Sequence, residues 1–591
     1  MKNLWGEYKQ ILHDFKFGFS RFIKYQICTK LLIGIILLPF LKIILNLLMK
    51  SRGLSYITNG LLTRFLLSPQ GIISIVLLAV FGVLVTLIEI GGLIVLSHQV
   101  ITKSRESSYY TIFKYCMRRI KHFIGIDGLI IVLCLVIIFP WLHLGIYTSL
   151  ISDVKIPGFI KDVIDQNMIF FIMLKILTLV FVILSIRWIF TMHVIMLKNK
   201  KAKKALKESS RLVKNNLKTF IKKTVGILLV SALVLGGLAA LYLLVIFLII
   251  RFIGGINVHW DYIILMISGV GVLFGSIGSF IVVPFQILYL TRLFYHLNND
   301  EILDIALDEK KNNNSLVDKI FNSKKIGITL FVGIVLFTSI FTIAVMEYME
   351  GIKYNVKITA HRGSSKDAPE NTLEAIDVAI KNKADYAEID VQETKDNKVV
   401  LIHDKSLSRT AGLDKNIWEA NLDEIKQLDA GSWFDERFKG VRIPTLEEVI
   451  DHSRGKIKLN IEIKTNGHEK KLVQKVVNLI KRKGIINSCV VTSLNYNVIQ
   501  EVEAMEPRIK TGYIMYVAIG NLHKLNVDFY SVEETNVTEK FVADAHMIGR
   551  EVHVWTINEE EDMQKVIDLG VDNIITDNYK ILLQKLSNHR K

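Results

Sequence analysis

The sequence has few cysteines and prolines for its length. Four of its 591 residues are cysteine and eight are proline. The cysteines, Cys28, Cys116, Cys134 and Cys489, are too scattered to indicate a disulfide framework. The scarcity of proline, together with 51% hydrophobic residues, excludes a disordered chain and favours a membrane protein. A chain of this length exceeds one ordinary hydrophobic core, so at least two domains are expected.

Acidic residues are scarce in the first part of the chain. Residues 1–351 hold 38 Lys and Arg but only 18 Asp and Glu, whereas residues 352–591 hold 35 basic and 38 acidic residues. The net charge of +17 therefore comes from the apolar half. Because these cations lie between hydrophobic runs rather than on a soluble face, they argue against nucleic-acid binding. Their placement follows the positive-inside rule of membrane proteins.

Seven apolar runs in the first part are long enough to cross a bilayer, which takes about 20 residues. They cover roughly residues 30–49, 71–97, 124–148, 169–196, 224–253, 262–291 and 326–347. The pattern predicts an all-α transmembrane domain of about seven spans over residues 1–348. The first run is too long, and begins too late, to be a cleavable signal peptide.

The basic residues also predict an orientation. The N-terminus and the loops 98–123 and 197–223 are rich in Lys and Arg, whereas the loops 50–70, 149–168 and 254–261 are poor in them. The basic segments are therefore expected in the cytoplasm, and an odd number of spans places the C-terminal domain outside the cytoplasmic membrane. The loop 197–223 could instead form an amphipathic helix on anionic lipid, although the topological interpretation is favoured.

After Tyr348 the pattern changes to short apolar runs that alternate with amphipathic stretches. The strand-like runs are KITAH, YAEIDV, VVLIH, KLNIEI, SCVVTS, TGYIMY, VDFYSV, EVHVWTI and NIIT. Such alternation predicts a mainly parallel sheet. Nine runs suit a TIM-type (β/α)₈ barrel over residues 352–591, with one run that is either peripheral or not a strand. An open doubly wound sheet is the alternative, but no glycine-rich phosphate turn follows the first strand.

Polar residues stand at the ends of several of these runs. Glu388 and Asp390 point the same way in AEIDV, because residues i and i+2 of a strand share a face. The carboxyl ends of the strands of an α/β barrel surround one mouth, so these two carboxylates are expected there together. The same reasoning brings four more polar residues to this mouth: Glu462, Lys464, His361 and His403.

Three carboxylates buried together are unfavourable unless a cation compensates them. Oxygen ligands from Glu388, Asp390 and Glu462, with no nearby cysteine, suit Mg²⁺ or Ca²⁺ better than Zn²⁺. A divalent ion beside Arg362 and Lys464 would form a clamp for a phosphate. The two imidazoles titrate near neutral pH and can divide proton transfer as base and acid. The combination indicates cleavage of a phosphate ester, with water or a substrate hydroxyl as the attacker.

Six spaced motifs resemble the glycerophosphodiester phosphodiesterase family of (β/α)₈ barrels. They are His361-Arg362-Gly363, Glu370-Asn371-Thr372, Glu388-x-Asp390, His403-Asp404, Glu462-x-Lys464 and Trp555-Thr556. The resemblance covers about residues 357–579. It implies hydrolysis of glycerophosphodiesters to glycerol 3-phosphate and an alcohol, with one divalent metal ion, Ca²⁺ or Mg²⁺. The apolar half is similar to the membrane domain that precedes this catalytic domain in some Gram-positive bacterial members.

The resemblance also implies a role for each motif residue. His361 and His403 would be catalytic, and Arg362, Lys464 and Trp555 would bind the substrate. Glu388, Asp390 and Glu462 would bind the metal ion. Glu370, Asn371 and Asp404 would support the site. Two of these roles have alternatives. Glu370 and Asn371 could instead cap the helix that begins at Thr372, and Trp555, expected on the glycerol side of the pocket, could be ordinary barrel packing.

The leading hypothesis is a membrane-anchored, metal-dependent phosphodiesterase whose barrel faces outside. Its expected partners are the lipid bilayer and a glycerophosphodiester, either a deacylated phospholipid or a unit of a glycerophosphate polymer. Anchoring would raise the local concentration of such surface-bound substrates. A lysophospholipase D is one alternative and would need an apolar groove at the mouth. A transporter or sensor with a non-catalytic barrel is another, and the oligomeric state stays open.

Overall fold

The computed structural model describes residues 2–133, 167–226, 280–299 and 356–589, together with a few isolated positions between them. The described chain divides into two compact units. One unit contains most of the apolar helices. The other contains the C-terminal domain and, in addition, residues 46–72, which include the loop between the first two predicted spans.

Four described helices are long and apolar enough to cross a membrane. They are Gly6–Ser51, Pro69–Thr102, Met168–Lys198 and Phe280–Leu297. They correspond to the predicted spans 30–49, 71–97 and 169–196 and to the end of the span 262–291. The predicted spans 124–148, 224–253 and 326–347 lie wholly or mostly outside the described residues, as does the start of 262–291. The total of seven spans therefore stays a prediction.

The helices of this part of the chain have the following bounds. They are Lys2–Leu31, Leu38–Ser51, Asn59–Leu66, Pro69–Thr86, Gly92–Thr102, Tyr109–Met117, Ile126–Leu133, Met168–Trp188, Thr191–Lys198 and Ala202–Asn215. The π-helical turns Leu32–Leu37 and Leu87–Gly91 join two of these pairs without a break.

The first helix begins close to the N-terminus, well before the predicted span at residue 30. Its charged first part is helical because it is amphipathic, with Ile11, Phe15 and Phe22 buried on one side. Tyr25 follows on the same helix and donates a hydrogen bond from its hydroxyl to the carbonyl of Ile88 at 2.6 Å. The helix is thus held by packing that extends beyond the apolar run.

The basic loop 197–223 contains the amphipathic helix Ala202–Asn215. The buried face of this helix includes Ala205, Leu206 and Val213, which belong to the apolar core of the helical unit. The apolar side of the helix therefore packs on protein, while lysines such as Lys203 stay exposed.

The C-terminal domain is built on parallel strands. In chain order the strands of the described chain, of which the first lies outside this domain, are β1 (Tyr56–Thr58), β2 (Lys357–Ala360), β3 (Tyr386–Glu393), β4 (Val399–Leu401), β5 (Lys458–Ile463), β6 (Cys489–Ser493), β7 (Lys510–Met515), β8 (Ala518–Gly520), β9 (Phe529–Glu533), β10 (Glu551–Trp555) and β11 (Asn573–Thr576). Eight of them close into a barrel in the order β2–β3–β5–β6–β7–β9–β10–β11, and β11 pairs with β2. The predicted TIM-type barrel is confirmed, and the open-sheet alternative is wrong.

Helices surround the barrel and cover its strands. The main ones are Leu373–Lys381, Leu446–Ser453, Leu472–Lys483, Tyr496–Met505, Glu539–His546, Glu560–Asp568 and Tyr579–His589. Apolar residues on the outer faces of the strands, such as Ile389 and Ile461, pack with these helices into one core. Polar residues on the alternate positions, such as Glu388 and Asn460, therefore face the barrel interior.

The run VVLI is not a barrel strand. It forms β4, which pairs antiparallel with the carboxyl end of β3, and Leu401 lies opposite Val391. The expectation that His403 follows a barrel strand is therefore wrong. Because β4 runs back towards the mouth, the Ile402 amide donates to the Asp390 carbonyl at 3.0 Å. His403 reaches the mouth by this route instead.

The segment after β4 has an apolar core of its own. Leu407, Ile417, Ile425 and Ile443 are buried there together with residues of β4. This segment is an insertion between β4 and the helix Leu446–Ser453, and it contains the short helices Ser408–Ala411 and Leu422–Ile425.

Candidate active site

Three carboxylates converge at the carboxyl ends of two neighbouring strands. Glu388 and Asp390 lie on β3 and Glu462 lies on β5, where it is in register with Asp390. One carboxylate oxygen from each residue lies within 4.8 Å of those of the other two. The prediction that these three side chains meet is confirmed by the geometry, and all three are largely removed from solvent.

Lys464 partly neutralises this cluster. Its Nζ lies 2.6 Å from Glu462 Oε1 and 3.1 Å from Asp390 Oδ1. Burial alone lowers the pKa of Lys464, but the carboxylates of Asp390 and Glu462 raise it above its usual value. Lys464 is therefore a fixed cation of the site.

The other carboxylates of the cluster are pushed in opposite directions. Burial and then the negative charge of Asp390 raise the pKa of Glu388. Burial also opposes ionisation of Asp390, but the nearby cations, led by Lys464, hold its pKa well below the usual range. The Lys464 ammonium and the Arg362 guanidinium, which also reaches Asp390, carry two positive charges against three buried carboxylates. The set of hard oxygen donors thus fits a divalent cation such as Ca²⁺ or Mg²⁺.

Arg362 reaches the same cluster through its backbone and its side chain. Its amide donates to Glu388 Oε2 at 2.6 Å, and its Nε lies 3.9 Å from Asp390 Oδ2. The backbone of Arg362 is left-handed, with φ of 49°, a conformation that non-glycine residues seldom adopt. The sharp turn after β2 therefore places this guanidinium beside the carboxylates.

Glu370 bridges two arginines. Its carboxylate accepts from Arg362 Nη1 at 3.0 Å and from Arg409 Nη1 and Nη2 at 2.9 and 2.7 Å. Arg409 also donates from Nε to Asp404 Oδ2 at 2.6 Å. The sequence motifs did not identify Arg409, because it lies in the insertion after β4 and no strand periodicity marks it.

Asn371 contacts the acidic cluster rather than the amides of the helix that follows it. Its Nδ2 donates to Asp390 Oδ2 at 2.8 Å, and its Oδ1 accepts from the Asp390 amide at 2.9 Å. The cap of the helix Leu373–Lys381 is Thr372, whose hydroxyl accepts from the Ala375 amide. The capping alternative for Glu370 and Asn371 is thus not what the geometry favours.

Each of the two predicted histidines holds a carboxylate at Nδ1. His361 Nδ1 lies 2.8 Å from Asp577 Oδ1, and His403 Nδ1 lies 2.8 Å from Asp404 Oδ1. Burial lowers the pKa of His361, but Asp577 more than reverses this and raises it to about 9. Both imidazoles therefore have Nε2 left to face a substrate.

Both histidines lie close enough to the cluster to interact electrostatically with it, His361 with Glu388 and His403 with Asp390. Asp577 was missed by the sequence reasoning, although it directly follows β11 and so carries the strand-end signal that identified the other site residues.

Trp555 stands at the carboxyl end of β10. It is in register with Glu533, the last residue of β9, and its side chain is partly exposed. Glu533 is buried and was not identified from the sequence. Trp555 is thus at the expected rim of the mouth, while its contact with glycerol stays a prediction.

Comparison with protein families agrees with this architecture over both parts of the chain. Residues 8–346 match the family described as the membrane domain of glycerophosphoryl diester phosphodiesterase, and residues 361–581 match the glycerophosphoryl diester phosphodiesterase family. The chain belongs to the glycerophosphoryl diester phosphodiesterase family. It is therefore an enzyme with a membrane domain, and the resemblance seen in the motifs is confirmed. Membership weighs against a transporter or sensor with a non-catalytic barrel.

Individual relatives resemble the chain over little more than a third of its length. A glycerophosphodiester phosphodiesterase of Caldanaerobacter subterraneus is 36% identical over 38% of this chain and 96% of its own. The Bacillus subtilis glycerophosphodiester phosphodiesterase is 30% identical over 38% of this chain and 85% of its own. The solved structure of an Oleispira antarctica phosphodiesterase, in complex with the product sn-glycerol-3-phosphate, is 32% identical over 39% of this chain and 96% of its own, with a TM-score of 0.37.

Proposed function

We propose that this enzyme hydrolyses glycerophosphodiesters to glycerol 3-phosphate and an alcohol at the mouth of its barrel. The observation that carries the proposal is the meeting of three carboxylates, two cationic side chains and two carboxylate-supported histidines at one end of the barrel. The names of the relatives support the same substrate class.

Glu388, Asp390 and Glu462 would hold one divalent ion, Ca²⁺ or Mg²⁺. When bound, the ion would polarise a phosphate oxygen and offset the negative charge that develops there. The support for this assignment is the spacing of the three carboxylates within 4.8 Å and their burial beside only two cations, Lys464 and Arg362.

Arg362 and Lys464 would bind the phosphate. Both are anchored by carboxylates, Arg362 through Glu370 and Lys464 through Glu462, so little side-chain freedom is lost when the anion binds. The planar guanidinium can hold two phosphate oxygens at once, and the ammonium acts as a point charge.

The two histidines would move the protons. His361, whose pKa is raised to about 9 by Asp577, is protonated at neutral pH and would donate its Nε2 proton to the oxygen of the leaving alcohol. His403 is held at Nδ1 by Asp404 and would accept at Nε2 the proton of the attacking hydroxyl, from water or from the glycerol. His361 would thus meet the reaction in the protonation state that its step needs.

The purified full-length chain tests this function directly. Release of glycerol 3-phosphate from glycerophosphocholine is measured with Ca²⁺, with Mg²⁺ and with a chelator in turn. We expect turnover with at least one ion, none with the chelator, and a large loss in Glu462→Gln. Glu561→Gln, an exposed carboxylate on the helix Glu560–Asp568, is the matched control. Ion-independent turnover would exclude the metal role, and no turnover with any diester would exclude the function.

We further propose that the chain is a multi-pass protein of the plasma membrane with a cytoplasmic N-terminus and an extracytoplasmic barrel. The distribution of Lys and Arg among the loops supports this orientation. Substrates would then be diesters at the outer surface, either deacylated phospholipids or units of a glycerophosphate polymer.

A further inference from the structure

The segment that connects the first two apolar helices docks on the barrel. Its strand β1 pairs antiparallel with β8, which follows the barrel strand β7. Ile57 of β1 is buried in a small cluster with Met49 and Phe65, and Val517 of the barrel packs against it. Residues 46–72 thus share an apolar core with the barrel.

Polar contacts fix the same segment at the carboxyl end of β7. Asn59 is buried, its Nδ2 donates to the Ile514 carbonyl at 2.7 Å, and its Oδ1 accepts from the Tyr516 amide at 2.9 Å. The Tyr513 hydroxyl donates to Thr58 Oγ1 at 3.1 Å. One asparagine therefore satisfies two backbone groups that flank the end of a barrel strand, where the mouth lies.

A close backbone approach completes the docking. Gly520 has φ of +94°, and a Cβ at this position would lie 2.6 Å from the Ser55 carbonyl. The next residue, Asn521, donates its amide to the same carbonyl at 2.9 Å. Glycine is required here both by the conformation and by the space.

Hydrogen bonds continue from this contact into the mouth. The Tyr516 carbonyl accepts from Asn536 Nδ2 at 3.1 Å, and the same nitrogen lies 3.2 Å from Glu533 Oε2. Glu533 is 2% exposed and stands opposite Trp555 in the sheet. Asn59 is thereby linked to a buried carboxylate at the rim of the mouth through one backbone unit and one side chain.

The position of Glu533 in the barrel indicates what it would contact. Its strand β9 lies four strands from β3 in either direction around the closed sheet, so it is opposite the strand that carries Glu388 and Asp390. A phosphate held beside those carboxylates would direct the rest of the diester across the mouth, towards Glu533 and Trp555.

We propose that residues 46–72 are a positioning element of the catalytic unit. They hold Glu533 and the turn between β7 and β8, which contains Tyr516, where the non-phosphate part of the substrate binds. The inference rests on the proposed function.

The docking of residues 46–72 on the barrel also bears on the membrane topology. The helices Gly6–Ser51 and Pro69–Thr102 on either side are each long enough to cross the membrane, so this segment and the barrel lie on the same side of it.

Substitution of Asn59 in the full-length enzyme tests the proposal. Asn59→Ala removes the side-chain hydrogen bonds to the Ile514 carbonyl and the Tyr516 amide and loosens the rim, while the catalytic histidines and the acidic cluster are untouched. We expect KM for glycerophosphocholine to rise about tenfold, as the loss of about one such hydrogen-bonding interaction allows, with kcat within about twofold. Thr63→Ala, an exposed position on the same helix, should change neither value. An unchanged KM in Asn59→Ala, or a fall in kcat alone, would overturn the positioning role.

A disulfide provides a rescue that a merely structural role would not show. Ile57 and Ile519 are opposite each other in the β1–β8 pair, at a spacing a disulfide can bridge. The variant I57C/I519C should form this bond on oxidation and, combined with Asn59→Ala, should restore the wild-type KM until it is reduced. Each single-cysteine variant is the control.

The disulfide also separates this inference from the proposed function. If the wild-type chain hydrolyses no diester, the proposed function fails, and formation of the bond alone then decides whether the segment docks. Failure of I57C/I519C to cross-link in the folded full-length chain would overturn the docking. Cross-linking without rescue of KM would overturn the positioning role.

Discussion

His361 Nδ1 lies 2.8 Å from Asp577 Oδ1, and the two residues directly follow the first and the last strands of the barrel. They are 216 positions apart in the chain, and their contact exists because β11 pairs with β2. The proton-donating state of His361 therefore depends on closure of the barrel.

Asp577→Asn should move the alkaline limb of the pH profile to lower pH. Asp577 raises the pKa of His361 to about 9, and a proposed acid loses function as the pH rises through its pKa. Without the carboxylate the pKa falls, so protonated His361 is lost at lower pH, by about one unit or more. The pH dependence of kcat/KM measures this. Asp568→Asn, an exposed carboxylate, should keep the wild-type limb, and an unmoved limb in Asp577→Asn would remove His361 as the acid.

His361→Ala and His403→Ala should each lower kcat by about 10² to 10⁴, the usual contribution of a positioned acid or base. Far-UV circular dichroism should show that both variants stay folded, because neither imidazole belongs to the apolar core. His452→Ala removes a histidine that also pairs with an aspartate, Asp377 at 2.6 Å, but lies away from the motifs. That control should be fully active. Normal turnover in either site variant would refute the acid–base assignment.

Binding of a divalent ion should stabilise the folded enzyme even without substrate. An ion present at a hundred times its Kd adds about 2.7 kcal/mol to the free energy of unfolding, because it binds the native state. Ca²⁺ or Mg²⁺ should therefore raise the melting temperature of the wild-type chain, and this rise should be absent in Glu388→Gln. Glu561→Gln should respond as the wild type does. An equal rise in Glu388→Gln would place the ion elsewhere.

Much of the site could be predicted from local patterns, because residues i and i+2 of a strand share a face. That rule brought together Glu388 and Asp390, and the shared mouth of the barrel placed Glu462 beside them, as the geometry confirms. The route of His403 could not be predicted in this way, since VVLI reads like any other buried strand and its antiparallel pairing is set by tertiary structure.

Other parts of the site depend on contacts that local periodicity does not encode. Arg409 joins Glu370 from an insertion without a repeating pattern. Asn59 joins Ile514 across 455 positions of the chain, and nothing in the sequence of the loop 50–70 indicates such a partner. The fold class followed from short-range alternation, whereas these long-range polar contacts needed the assembled structure.

The orientation across the membrane makes a prediction that a pair of cysteines can test. Arg52 lies in the segment that docks on the barrel, and Lys203 lies on the exposed face of the basic helix Ala202–Asn215. Arg52→Cys should react with a membrane-impermeant maleimide on intact cells, because its loop is poor in basic residues and shares the side of the barrel. Lys203→Cys should react only after permeabilisation, since its loop is strongly basic. The parent chain measures labelling of the native cysteines, of which Cys116 and Cys489 are buried.

The reverse labelling pattern would invert the orientation and place the barrel in the cytoplasm. Labelling of both positions on intact cells would contradict the proposed span arrangement between them.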